Sequence, residues 1–358
     1  MNRRELLASL CATSLSGALS LPAAALAATS GTGLEASLRD VWEAWRDANM
    51  DATGRVIDRL QKSSSHSEGQ AYGMLLAAMM GDRAAFERMD AWTRLNLAIR
   101  QDSLMAWRWL PDAPVRVPDL NNASDGDLFR AWALLRAAQR FEAPEYRAAA
   151  EAIVRDLAKS CIVHRPGADP LLLPAARGFE TEAGFLYNPC YTMPLAMHEL
   201  ATEFNQPVLA AAARGAVELA RQLALEGVVP DWVEVTPQAV GPAKGFSFDA
   251  GYEAMRVPLY FVWSGLHDHP AVLRFAEAQS RVPPGLAATR ISRGTGEALS
   301  TSAEPGYKAI AALATCSARQ EVGARIPPFS PGAPYYPATL QLFALLAQAE
   351  ALPTCVPL

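Results

Sequence analysis

The sequence predicts an all-α fold of about six helical hairpins with long loops and one small β-hairpin. Three observations carry this. Apolar residues recur at helical spacing in about eleven stretches. The segments between them concentrate Pro and Gly. Strand-like alternation is confined to Val233-Glu234-Val235-Thr236, between Pro230 and Pro237, which reads as part of a hairpin on a long loop. Eleven or twelve helices pair naturally as hairpins, each burying one face against the next. Closure of the hairpins into a ring is not dictated by the pattern, because the repeat is too degenerate to leave a period.

Taken in chain order, the first 27 residues stand apart. Arg3 and Arg4 form a basic start, an apolar stretch runs from Leu6 to Leu21, and Ala25-Leu26-Ala27 fits the small-x-small rule for cleavage of a secretory signal. The apolar stretch is too short and too Ser-rich to make a good membrane span, and the paired arginines are the feature the twin-arginine route reads. The expectation is a signal peptide over 1–27, one domain over 28–358, and a periplasmic or secreted protein. Helical periodicity then falls at 34–48, 69–80, 84–99, 126–141, 144–159, 191–204, 207–225, 252–266, 269–280, 305–317 and 336–350. The connectors are 111–122, 165–178, 226–248, 282–303 and 323–334.

Composition narrows the class. The 358 residues carry 32 basic and 37 acidic side chains, a net charge of −5, with 51 % hydrophobic and 19 % charged residues. That describes a globular protein. The acidic balance argues against nucleic acid or an anionic membrane surface as the main partner. No second apolar run is long enough to cross a bilayer. Cleavage would leave Cys161, Cys190, Cys316 and Cys355, which allow three pairings in an oxidising compartment. Their wide, irregular spacing is unlike a zinc site, and buried free thiols are an equal expectation.

The informative regularity is a set of short polar clusters ahead of alternate helices: Ser65–Gln70, Asn121–Asp127, Tyr187–Pro189 and Phe248–Glu253, with Tyr335-Tyr336 before the last helix. If alternate helices run the same way, these starts collect at one end of the bundle. Part of this is ordinary capping: Ser67 with Gln70 has the spacing of a capping box, and Ser124 with Asp127 resembles one. Glu68, Asp125 and Asp127 suit the positive ends of helices. Capping alone does not call for Gly69 and Gly126 inside first turns, where glycine costs about 0.5–1 kcal/mol relative to alanine. Close approach of a ligand to the backbone would.

Carboxylates, the amides Asn121 and Asn122, and the rings of Trp107, Trp109, Tyr191, Trp232, Tyr252, Tyr335 and Tyr336 suit a carbohydrate. A sugar offers an apolar face for stacking and a rim of hydroxyls. Cleaving its acetal needs a proton donor to the leaving oxygen and a second carboxylate as base or nucleophile. A helix start lowers the pKa of a donor, so a second carboxylate close by and burial must oppose it. Glu68 and Asp125 make sense as such a coupled pair.

At these residues the sequence resembles glycoside hydrolase family 8, and within it the periplasmic endoglucanases that accompany bacterial cellulose synthesis. The segment His66-Ser67-Glu68-Gly69-Gln70-Ala71-Tyr72-Gly73-Met74 is similar to the one around the family's general acid, and Ala123-Ser124-Asp125-Gly126-Asp127 to its signature. Trp107-Arg108-Trp109, Asn188-Pro189-Cys190-Tyr191, Pro230-Asp231-Trp232 and Arg256-Val257-Pro258-Leu259-Tyr260 follow in the family's order. The resemblance implies an (α/α)6 barrel, endo-hydrolysis of β-1,4-glucan with inversion, no metal or organic cofactor, and the cellulose synthase complex as a partner. It implies Glu68 as general acid and Asp125 as the carboxylate that binds the distorted sugar. Gln70, Tyr72, Trp107, Trp109, Asn122, Asp127, Tyr191, Trp232, Arg256 and Tyr336 are the substrate-binding candidates.

The sequence departs from the family pattern at the base, where Tyr-Asp-Ala becomes Tyr252-Glu253-Ala254. Glutamate reaches one methylene further. Asp249, in Phe246-Ser247-Phe248-Asp249, is the alternative base, but the distance of Glu253 to Arg256-Val257 favours Glu253. Loss of turnover in a glucan-binding protein, or action on xylan, mixed-linkage glucan or chitosan, are the competing functions. His267-Asp268-His269 lacks a further patterned ligand and precedes Pro270, so it reads as a loop or helix start rather than a metal site.

Overall fold

Helices that are buried on nearly every side alternate along the chain with helices buried along one stripe, and this alternation sets the architecture. A computed structural model describes residues 37–320, 323–324 and 326–355. The expected signal peptide lies outside the described residues. α1 covers 37–49. It is followed by α2 (Ser67–Met80), α3 (Arg83–Asn96), α4 (Ser124–Phe141), α5 (Pro144–Ser160), α6 (Pro194–Glu203), α7 (Pro207–Glu226), α8 (Arg256–Trp263), α9 (Pro270–Ser280), α10 (Pro305–Arg319) and α11 (Tyr335–Ala351). In α5 the buried residues are Ala150, Ile153, Val154 and Leu157, a single stripe. In α2 every residue from Gly69 to Ala78 is buried, as a helix inside other helices must be.

α2 packs on α3, α4 on α5, α6 on α7 and α8 on α9, so each inner helix has an outer partner. The inner helices touch in sequence, α2 on α4, α4 on α6, α6 on α8, α8 on α10 and α10 on α11, with α8 also reaching α11. The ring closes where Tyr72 of α2 meets Phe343 of α11 with ring centroids 4.8 Å apart. Trp45 of α1 adds a bond across the same joint, its indole N–H donating to Thr339 of α11 at 2.9 Å. Aromatic rings fill the lumen: Phe129 lies 4.7 Å from Tyr72, 5.4 Å from Tyr260 and 5.8 Å from Phe343. Trp263 joins Phe343 at 5.4 Å and Trp132 at 5.5 Å. The closure that the periodicity left open is therefore present.

The hairpin rule breaks once. α10 and α11 run parallel: Tyr307 and Tyr336 meet near their starts, and a disulfide joins Cys316, near the end of α10, to Cys355 just beyond α11. Residues 326–334 between them are not helical. Pro327, Pro328, Pro331 and Pro334 remove the N–H groups an outer helix would need there. Cys161 and Cys190 are buried free thiols, so a single disulfide forms and none of the three complete pairings does.

Several helix bounds differ from the sequence reading. The stretch 191–204 resolves into a 3-10 turn, Pro189–Tyr191, and α6, because Pro194 sets the helical start. The stretch 252–266 contains a turn through 252–255, and α8 starts only at Arg256. The expected hairpin exists, β6 (Val233–Val235) against β7 (Val240–Pro242), with β5 (Phe185–Tyr187) on the other side of β6. It is not alone. β1 (Ser65–His66) pairs with β2 (Arg108–Trp109), β3 (Ile162–Arg165) with β4 (Ala168–Leu172), and β8 (Ala287–Ile291) with β9 (Ala298–Ser302). These strands have two to five residues, too few for alternation to register. His269 is the N-cap of α9, its Nδ1 accepting from Ala271 N, as a helix-start reading requires. Among the described residues no helix is long and apolar enough to cross a membrane.

Candidate active site

The starts of the inner helices meet at one end of the ring, as the polar clusters predict. α2 begins there with Glu68 in its first turn. Its N-cap is His66, whose Nδ1 accepts from Gly69 N at 3.0 Å. This corrects the capping-box reading. Gln70 is fully buried, and its side chain accepts from Val56 N and donates to Thr93 Oγ1 at 2.9 Å. Gln70 therefore fastens the 54–56 loop to α3 and does not face a substrate. His66 Nε2 points at Asp58, 3.7 Å away.

α4 begins against α2. A Cβ on Gly126 would lie 2.5 Å from Ser67 Oγ and 2.8 Å from Glu68 N. The glycine is thus required by the backbone of the neighbouring helix, not by a ligand, and this corrects the sequence argument. Its consequence is chemical: the two helix starts approach closely enough to bring Glu68 and Asp125 onto one guanidinium. α4 has no side-chain cap, since Ser124 Oγ instead donates to Leu173 O. Asp127 is fully buried, accepting from Met105 N at 2.7 Å and Asn122 Nδ2 at 2.9 Å. Asn122 also accepts from Ala176 N at 2.7 Å. Burial pushes the Asp127 carboxyl up to about 7. Asn122 and Asp127 join three loops inside the protein, so the expectation of sugar contact fails for both.

Arg256, at the start of α8, lies under the two acids. Its Nη1 donates to Glu68 Oε2, to Tyr72 OH at 2.9 Å and to Asp125 Oδ2 at 3.5 Å. Its Nη2 donates to Cys190 Sγ at 2.9 Å. Tyr72, fully buried, passes the chain on to Tyr260 OH at 2.6 Å, so it supports Arg256 from within. The two carboxylates differ in access. The Glu68 side chain is 18 % exposed and that of Asp125 3 %, so Glu68 faces the cleft and Asp125 sits below it. Burial, and then the charge of Glu68, push the Asp125 carboxyl up to about 6 while Arg256 pulls it down.

Glu253 comes from the turn ahead of α8. Its carboxylate accepts from Asn188 Nδ2. Asp231 holds the turn itself, its Oδ1 accepting from Gly251 N at 2.8 Å and Ala254 N at 2.7 Å. A Cβ on Gly251 would collide with Asp231 Oδ2. Burial first, and the Asp231 charge second among the raising influences, push Glu253 up to about 7 against Arg256 and Asn188. Asp249 goes elsewhere: it accepts from Arg293 N at 3.2 Å and Ser247 Oγ at 3.0 Å. Glu68, Glu253 and Arg256 line one cleft of about 520 Å³ together with Asp58, Glu304 and the rings of Tyr252, Tyr307 and Tyr336. Asp249 does not line it. A second cavity of about 480 Å³, by Lys308, Thr315 and Cys316, has no carboxylate in its wall.

The aromatic candidates divide. Tyr336 lines the cleft and donates to Tyr252 O at 2.6 Å. Trp232 stacks with Phe246 at 4.8 Å and Phe179 at 5.8 Å, with Tyr191 tilted against it at 6.2 Å. Trp109 has the guanidinium groups of Arg55 and Arg116 at 4.4 and 5.2 Å from its ring centre, and Trp107 has Arg108 at 4.3 Å. Trp107 also donates to Asp119 Oδ2 at 2.9 Å. Tyr307 was missed, hidden inside a helical stretch; the Glu304-Pro305 helix start just before it is the signal that could have found it. Asp231, Asn188 and Cys190 stood in motifs, but their work depends on contacts with residues distant in sequence.

Two carboxylates sharing one cation, and a third lining the same aromatic-walled cleft as Glu68, are the kinds of group that acetal hydrolysis uses. On a closed α/α ring they define a glycoside hydrolase. Comparison with known proteins gives the family: the model of glycosyl hydrolases family 8 matches residues 15–350. The chain is 33 % identical to a probable endoglucanase of Novacetimonas hansenii, over 86 % of this chain and 90 % of that one. It is also 33 % identical to an endoglucanase of Xanthomonas axonopodis pv. citri, covering 96 % and 92 %. Its fold matches the endo-β-1,4-glucanase CMCax of Acetobacter xylinum with a TM-score of 0.78 and 31 % identity, over 88 % of this chain and 99 % of that one. The chain belongs to glycosyl hydrolases family 8, and its fold is the (α/α)6 barrel. A β-1,3-1,4-glucanase of Paenibacillus, 16 % identical at a TM-score of 0.73, shares the fold.

Proposed function

We infer that the protein is an exported endo-β-1,4-glucanase acting with inversion, with Glu68 as general acid and Glu253 as general base. The observation that carries this is the shared cleft: Glu68 and Glu253 both line it, while Asp125 is tied to Arg256 beneath. Glu68 gives its proton to the glycosidic oxygen as the bond from that oxygen to the anomeric carbon breaks. Glu253 takes a proton from a water whose oxygen bonds to the same carbon from the opposite face. The family resemblance gives Asp125 the distorted sugar at the cleavage point; from its place below the cleft Asp125 sets, with Arg256, the field around Glu68. Tyr336, with Tyr252 and Tyr307, forms a wall on which sugar faces stack. Solvent returns the proton from Glu253 to Glu68, so no cofactor is consumed.

Export is supported by the leader pattern over 1–27 ahead of one catalytic domain over 28–358, and by the Cys316–Cys355 disulfide, which suits an oxidising compartment. The role in cellulose synthesis, with the synthase complex as partner, rests on the family resemblance. The test is reducing-end release from carboxymethylcellulose, mixed-linkage glucan, xylan and chitosan, with NMR of the first-formed anomer. Release from carboxymethylcellulose with inverted anomer is expected. Binding without release would establish the glucan-binding reading, and retention of configuration would remove Glu253 as base.

A further inference from the structure

We propose that the short turn Asn188–Tyr191 is the positioning element that holds the two halves of the active site in register, with Asn188 setting Glu253 and Cys190 setting Arg256. The proposal rests on the functional reading above and deepens it. The turn is one 3-10 element, Pro189–Tyr191, with Asn188 as its N-cap. Asn188 Oδ1 accepts from Cys190 N at 3.0 Å, and its Nδ2 donates to Glu253 Oε2. Asn188 and Cys190 are both fully buried, so neither side chain can turn to water. Two residues on, Cys190 Sγ accepts from Arg256 Nη2 at 2.9 Å. The other nitrogen of that guanidinium serves Glu68, Asp125 and Tyr72.

A continuous path therefore runs from the base through Asn188, the turn, Cys190 and Arg256 to the acid. Each step has a chemical reason. Glutamate in place of aspartate adds a rotatable bond to the base, and a fixed amide donor at its far end removes that freedom. Arg256 must hold one nitrogen between two carboxylates. A guanidinium is planar, so fixing Nη2 fixes the direction of Nη1. Burial pushes the Cys190 thiol up, which keeps it an uncharged acceptor beside the cation. The charged groups acting on Glu253 are Arg256, Asp231 and Asp125, with the Asn188 amide donating to it.

The test compares Asn188→Ala, Cys190→Ala, Cys190→Ser and the double alanine variant on carboxymethylcellulose, each with a thermal midpoint and a full pH–rate profile. Asn188→Ala is expected to lower kcat by about tenfold or more with KM little changed. Removing a donor from the ionised form also raises the pKa of Glu253, so its acid limb moves to higher pH. A role confined to folding would leave that limb in place. Cys190→Ala is expected to lower kcat, and Cys190→Ser to recover most of the loss by restoring an acceptor. The double variant should lose less than the product of the singles, since one element is broken twice. An unmoved limb in Asn188→Ala, or equal activity in the two Cys190 variants, overturns the proposal. If Asn188→Ala does not fold, the Cys190 pair decides alone. Glu68→Gln separates the two levels: if it stays active the functional reading falls, whereas an inactive Glu68→Gln beside indifferent turn variants removes the positioning role only.

Discussion

Two of the carboxylates that line the cleft, Glu68 and Glu253, are held in opposite ways. Glu68 stands in the first turn of a fourteen-residue helix whose cap, neighbour helix and cation are all in place around it. Glu253 stands on a turn with no helix of its own, kept in position by Asp231 on its backbone and Asn188 on its carboxylate. The first is fixed by secondary structure and the second by tertiary contacts. A helix start supplies direction cheaply. A turn clamped by a buried carboxylate favours the protonated acid. The geometry of the second support carries an electrostatic bias: burial, and then the Asp231 charge, push the Glu253 carboxyl up to about 7.

The largest test of this contrast removes the acid. Glu68→Gln should reduce kcat on carboxymethylcellulose by about 10²–10⁴-fold with the fold intact by circular dichroism. Gly126→Ala attacks the support of Glu68 without touching a carboxylate. With a Cβ 2.5 Å from Ser67 Oγ, overpacking of about 1–3 kcal/mol is expected, read as a lower thermal midpoint together with lost activity. A fully active, equally stable Gly126→Ala would show that the approach of the two helix starts is not what pairs the acids.

The base side is tested more gently. Glu253 must be ionised to accept a proton and is protonated below its pKa, so kcat/KM should rise with pH through about 7. Asp231→Asn keeps an oxygen for Gly251 N and Ala254 N but removes the charge. The rising limb should then move to lower pH, with kcat reduced a few-fold. No movement would mean that Asp231 acts on Glu253 through the backbone alone. The smallest effect is expected from Asp249→Asn, which should leave the pH profile unchanged, since Asp249 is engaged by Arg293 N and Ser247.

How much was legible follows the same division. Helix number and the gathering of helix starts could be read because they depend on residues close in sequence, and the Glu68–Asp125 pair because each member sits in its own local helix-start motif. Capping was misread at Ser67, since His66, one residue earlier, is the N-cap and accepts from Gly69 N, and Ser67 is already in the helix. Gln70, Asn122 and Asp127 look like sugar-binding groups in sequence, yet each has a polar atom spent on a loop 14 to 54 residues away, and Asn122 and Asp127 also bond each other. The clamp on Glu253 was illegible for a similar reason: Asn188 is 65 residues from it. Short strands escaped because two to five residues carry no period.

The joint between α11 and the first helices bears on when the enzyme comes into being. Trp45 and Thr339 are bonded across 294 positions of chain, and Tyr336 reaches the cleft from the same late helix. Every other neighbour in the inner ring can pair as soon as it is made, but this contact demands that nearly the whole polypeptide be present. Hydrolysis is therefore a sensor of completed folding: a chain stopped short of α11 would hold Glu68, Asp125 and Glu253 and still lack the closed ring that makes them a site.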